Sequence, residues 1–187
     1  MKRSFVFKLI MTMTNYDYKG WYVLCVKSFH ERKVYDQLLE SSIEAFLPLI
    51  ETIKKWSDRK KVILKPLFPS YIFVNIRTSL DFYKALNLNG AYTYIRFGVN
   101  YAKVKEHEIN KIKLLIGDKE ITDIDIALMP LVVGETKRIT FGPLCGMDCE
   151  ILKVNNQNKV IVRIDSIQLN ITASIPLHYL LETSKIA

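Results

Sequence analysis

The run from Ser70 to Ile76 constrains the fold of this chain more than any other. Read as a strand, it puts Ile72, Val74 and Ile76 on one face and Tyr71 and Phe73 on the other. The aliphatic face belongs to a core. The aromatic face has two solutions: it packs beneath a helix on the second side of the sheet, or it stays at the surface, where an apolar patch marks a partner site.

The neighbouring segments supply the layers. Trp21 to Val26 is a short, almost wholly apolar run and reads as a buried strand. Ser28 is a candidate cap for the helix after it, in which Val34, Tyr35, Leu38, Leu39 and Ile43 recur at helical spacing. Strands are expected at 45–50 and 62–67 with a hairpin tip at 57–61, then a short helix at 80–88, a turn at Asn89-Gly90 and a strand at 92–97. Lys105 to Ile116 is a second strong helix, with Ile109, Ile112, Leu115 and Ile116 on one face and Leu114 nearly opposite. Gly117 ends it. The order β-α-β-β-β-α-β-α with hairpin connections predicts an α+β fold around an antiparallel sheet flanked by helices.

Charge divides the chain. Residues 1–117 hold 20 Lys/Arg against 10 Asp/Glu, and residues 118–187 hold 7 against 9. Such asymmetry predicts two modules with different partners, and the basic one suits a polyanion. Residues 1–20 read as a loose N-terminal extension, 21–117 as the first domain and 118–130 as a flexible acidic linker. Residues 131–187 are rich in β-branched residues and turns; five short strands, at 136–141, 149–154, 160–165, 169–175 and after Pro176, predict a small barrel.

Enzyme chemistry finds no foothold. His30, His107 and His178 are scattered, no glycine loop cradles a phosphate, and Cys145-x-x-x-Cys149 lacks common zinc spacing, so neither cofactor nor metal is expected. The three cysteines read as reduced thiols of a cytoplasmic protein. No 18-residue apolar run is present, so no helical membrane span is expected.

The residues at this point carry a resemblance. Trp21-Tyr22-Val23-Leu24, then Pro66-Leu67-Phe68-Pro69-Ser70-Tyr71-Ile72-Phe73-Val74, then Ile95-Arg96-Phe97-Gly98, resembles the N-terminal domain of the NusG/RfaH transcription factors. Gly134-Glu135 and the stretch Arg138 to Gly146 resemble the start of their SH3-like KOW barrel. The string and the Arg-Phe-Gly step are closer to the specialised RfaH- and UpxY-type antiterminators of polysaccharide operons than to general NusG. The resemblance implies a monomeric, non-enzymatic elongation factor that suppresses pausing and termination.

It also implies sites. Phe68, Tyr71, Phe73, Phe97, Ile112 and Leu114 would grip the coiled coil of the RNA polymerase β′ clamp. Lys27, His30, Lys33 and Gln37, with Asn87 and Asn89 nearby and Arg59, Lys60 and Lys61 at the hairpin tip, would meet the non-template DNA strand. Ile164 and Ile167 would meet a KOW partner, ribosomal protein NusE or Rho. Two departures stand out. Asp81-Phe82-Tyr83-Lys84 replaces the His-Thr-Thr element that contacts the β gate loop, and Cys149 replaces a usual glycine. The competing readings are an RRM-like module stacking bases on Tyr71 and Phe73, and a ribosome-associated KOW protein.

Overall fold

The computed structural model describes residues 18–55, 60–127, 136–140, 142–154 and 157–180. Its N-terminal unit runs β1 (Gly20–Val26), α1 (Glu31–Glu40), β2 (Glu44–Phe46), β3 (Leu49–Lys55), β4 (Lys60–Pro66), β5 (Tyr71–Ile76), α2 (Ser79–Leu86) and β6 (Ala91–Tyr94). The short β7 (Arg96–Phe97), β8 (Asn100–Tyr101) and β9 (Lys103–Val104) lead into α3 (Glu106–Gly117). The expected elements follow in order, but the strand expected at 45–50 is divided between β2 and β3, and β8 and β9 are additional. The strand expected at 92–97 is divided between β6 and β7, and β7 turns back on β8.

The main sheet is antiparallel, in the order β2-β5-β1-β6, with β9 also paired to β1. Its central strands have apolar residues on both faces, so both faces must be covered. On one side Tyr22, Leu24, Ile72, Val74 and Ile76 pack with Val34 and Leu38 of α1 and Phe82 and Ala85 of α2. The Phe82 and Tyr94 rings stack at 4.2 Å, and the buried Tyr94 hydroxyl donates to the Phe82 carbonyl at 3.1 Å. On the other side Trp21, Val23 and Phe73 share a cluster with Ile109, Ile112 and Leu115 of α3. The aromatic face of Ser70–Ile76 therefore takes the first of its two solutions and lies under a helix.

Local chemistry sets the helix ends. Thr78 and Asp81 form a reciprocal capping box at α2: the Asp81 N–H donates to Thr78 Oγ1 at 3.2 Å, and the Thr78 N–H to Asp81 Oδ2 at 2.9 Å. Ser28 is not the cap of α1; His30 holds that position, and the Ser28 hydroxyl meets that of Ser70 at 2.9 Å.

The C-terminal unit contains β10 (Thr122–Ala127), β11 (Thr136–Arg138), β12 (Asp148–Val154), β13 (Gln157–Ile164) and β14 (Leu169–Ser174), in the antiparallel order β10-β14-β13-β12-β11. Two expectations are corrected here. The segment read as flexible linker supplies β10, because Ile124 and Ile126 turn inward on alternate positions while Asp123 and Asp125 stay exposed, and the backbone pairs with β14. The strand expected after Pro176 is instead a 3-10 turn, Leu177–Leu180, whose Tyr179 carbonyl accepts the Thr140 N–H at 2.8 Å. Among the described residues β10 and β11 are unpaired edges at opposite ends of the sheet, so a closed barrel is not seen.

The two units share one apolar cluster. Ile139, Leu144, Val160, Val162, Ile164 and Ile171 of the second unit are buried together with Phe68, Phe73, Val104 and the α3 residues of the first.

Candidate functional site

Helix α3 stands between the units. Toward the main sheet, the Trp21 indole donates to Glu106 Oε2 at 2.5 Å, and Lys113 Nζ lies 5.5 Å from both the Trp21 and Phe46 ring centres. Toward the second unit, Lys111 lines a cleft with Met147, Asp148, Cys149 and Glu150. Glu108 is buried, and its carboxylate accepts from three groups: the Lys105 N–H at 2.9 Å, the Ser166 N–H at 3.1 Å and the Ser166 hydroxyl. Burial alone would raise this carboxyl's pKa; the Ser166 hydroxyl and the two backbone donors outweigh it and hold it below its usual value. Farther along, the Tyr179 hydroxyl donates to Asp118 Oδ2 at 2.8 Å, just beyond the helix. That bond, with burial, raises the phenol well above its ordinary value.

The six clamp candidates divide. Phe68, Phe73 and Ile112 are fully buried, with Phe68 and Phe73 in edge contact at 5.4 Å. Tyr71 is half-buried against the same cluster. Leu114 (38% exposed) and Phe97 (44%) reach the surface. Leu114 does leave the core stripe of its helix, whereas the sequence expectation that Phe73 could lie open is corrected by α3 above it. Ile164 and Ile167 are likewise buried in the shared cluster.

The nucleic-acid candidates gather around the start of α1. Lys27 and Lys33 are exposed, and His30 and Gln37 half-buried on the same side of the helix. The turn bearing the exposed Asn87 and Asn89 docks here: the Lys27 N–H donates to the Gly90 carbonyl at 2.8 Å. Gly90 has φ +107, and a Cβ there would stand 3.1 Å from Val34 and 3.5 Å from His30, so this contact depends on glycine. Lys61 lies on the β3–β4 ribbon, whose register pairs Lys54 with Lys61 and Lys55 with Lys60. Arg59 and the side chain of Lys60 fall outside the described residues. In the expected gate-loop element, Asp81 is engaged as a cap and Phe82 is buried in the core.

The sequence reading passed over Phe29. It lies outside every periodic stripe, is 99% exposed and has φ +64. It also passed over Glu108 and Ser166, which are 58 residues apart and show no local pattern that pairs them. No cluster of metal-ligating side chains occurs among the described residues, nor any helix long and apolar enough to cross a membrane.

The fold is a helix-flanked antiparallel sheet joined to an all-β unit. The family described as "Transcription termination factor nusG" matches residues 19–113, just over half of the chain, and the chain belongs to this NusG family, one of transcription factors rather than enzymes. Among solved structures, "Domain interaction in Thermotoga maritima NusG" is similar at 20% identity and a TM-score of 0.50, covering 88% of this chain and 98% of that one, which shows a shared fold. The "MjSpt4:Spt5 complex" in conformation A matches at 12% identity over 83% of this chain and 93% of that one, and conformation B at 14% over 88% and 97%. Both have TM-scores of 0.29.

Proposed function

We propose that this transcription elongation factor is an operon-specific antiterminator of the RfaH/UpxY type, acting in the cytoplasm on RNA polymerase engaged with DNA. Family membership over residues 19–113 carries the reading. The proposed clamp surface combines the exposed Leu114 and Phe97 with Tyr71, which is half-buried against the cluster that holds Phe68, Phe73 and Ile112. A coiled coil that reached the buried three would have to open the cluster that they share with α3 and the C-terminal sheet. Holding the clamp in one conformation requires only that the factor bind that conformation better than its alternatives. The C-terminal sheet is read as a KOW module, with NusE or Rho as partner once Ile164 and Ile167 are uncovered.

An RRM-like module would need its aromatic sheet face open to bases. Phe73 is fully buried, so that face is not open in this structure.

The test is a pull-down with purified RNA polymerase, comparing wild type with the double variant Tyr71→Ala, Leu114→Ala after circular dichroism confirms that both are folded. Wild type is expected to be retained at moderate salt, and the variant to lose about tenfold or more in affinity, as removal of interface anchors does. A folded wild type that ignores polymerase overturns the proposal.

A further inference from the structure

Phe29 is held where an isolated apolar ring has no structural reason to be. Its side chain is 99% exposed, so it stabilises no core. Its backbone is left-handed at φ +64, a conformation glycine adopts freely and a bulky residue adopts at a cost. The loop around it is nonetheless braced on both sides. The Lys27 N–H donates to the Gly90 carbonyl, and the Ser28 hydroxyl meets Ser70. Behind it the buried Glu31 carboxylate accepts the Ser70 N–H at 2.8 Å, and the His30 ring nitrogen Nδ1 lies 3.2 Å from the Ser28 carbonyl. A strained, exposed ring on a supported loop is the kind of position in which cost is offset by function.

Its surroundings select the ligand. Lys27, Arg32 and Lys33 are exposed within four residues of Phe29, while Glu31 is buried and occupied by Ser70. Beyond Gly90, Tyr92 offers a second exposed ring, at 66%, on the strand next to β1. Aromatic rings interleaved with cations fit a single-stranded nucleic acid, whose unstacked bases lie on the rings while its phosphates meet the lysines and arginine. A partner protein's apolar pocket would not call for the cationic rim.

We propose that Phe29 is a base-stacking residue that binds an unpaired nucleotide of single-stranded DNA, with Lys27 and Lys33 on the flanking phosphates. This deepens the nucleic-acid part of the proposed function and rests on it.

The experiment titrates the full chain against a fluorescein-labelled 12-nucleotide single strand of mixed sequence, by anisotropy, over a salt series. Phe29→Gly removes the ring and suits the left-handed backbone, so its melting temperature is expected to equal or exceed that of wild type. Its affinity is expected to fall about tenfold. The dependence on salt should stay unchanged, because no phosphate contact is lost. Phe29→Trp should keep the affinity. Lys27→Ala with Lys33→Ala should instead flatten the salt dependence, by a slope of about 0.7 per lysine. Equal affinity of Phe29→Gly and wild type, with salt-dependent binding intact, overturns the stacking role and leaves the nucleic-acid reading standing. No binding by wild type even at low salt overturns both.

Discussion

Gly142 shows how much one missing Cβ can matter. Its φ is +80, and a Cβ there would stand 2.4 Å from the Tyr179 ring. Gly142→Ala is expected to destabilise the C-terminal unit by more than about 2 kcal/mol, the left-handed strain and the clash acting together; urea denaturation measures it. The cysteines separate by the same reasoning about surroundings. Burial pushes the Cys149 thiol up to about 11, and Cys25 is also raised by burial, whereas Cys145 is exposed. Iodoacetamide at pH 8 followed by mass spectrometry should mark Cys145 first and Cys149 last, since the thiolate is the reacting form. The core pattern of single residues was legible in the sequence: Leu114 was placed off its helix's buried stripe from 100° steps alone. Phe29 was not, because exposure and backbone strain leave no periodic trace.

Elements were readable where local chemistry and burial agreed. The strands and helices of the N-terminal unit stand in the expected order, because their apolar periods are those their layers require. The region 118–130 reads as a linker because its four carboxylates, Asp118, Glu120, Asp123 and Asp125, dominate the composition. The underlying alternation of Asp123, Ile124, Asp125 and Ile126 is a strand period, and pairing with β14 gives it a partner that local sequence cannot show. Helix α2 offers a direct check on capping. Thr78→Ala removes the acceptor of the Asp81 N–H and should cost about 1 kcal/mol of stability in the N-terminal unit, read by denaturant unfolding.

At the scale of the molecule, the seating of one unit on the other was beyond sequence reading, since it joins residues such as Glu108 and Ser166 across 58 positions. Its consequence for pH has a definite sign. The seated Glu108 carboxyl is depressed below its ordinary value, so its contribution is present above that ordinary value of 4.5 and is lost as pH falls through the depressed one. The contact between units should therefore loosen in acid. Small-angle scattering of the intact chain is expected to show a larger radius of gyration there, and Glu108→Ala should enlarge it already at pH 7, with the main sheet's circular dichroism retained. An unchanged radius in that variant would show that the apolar cluster alone holds the units together.

The same carboxylate has a second duty. Glu108 accepts from Lys105 within its own unit as well as from Ser166 across the divide. When the sheet departs, the Lys105 bond can stay, and the first turn of α3 keeps its cap. The cap of α3 is therefore made within the first unit and does not depend on where the second unit sits.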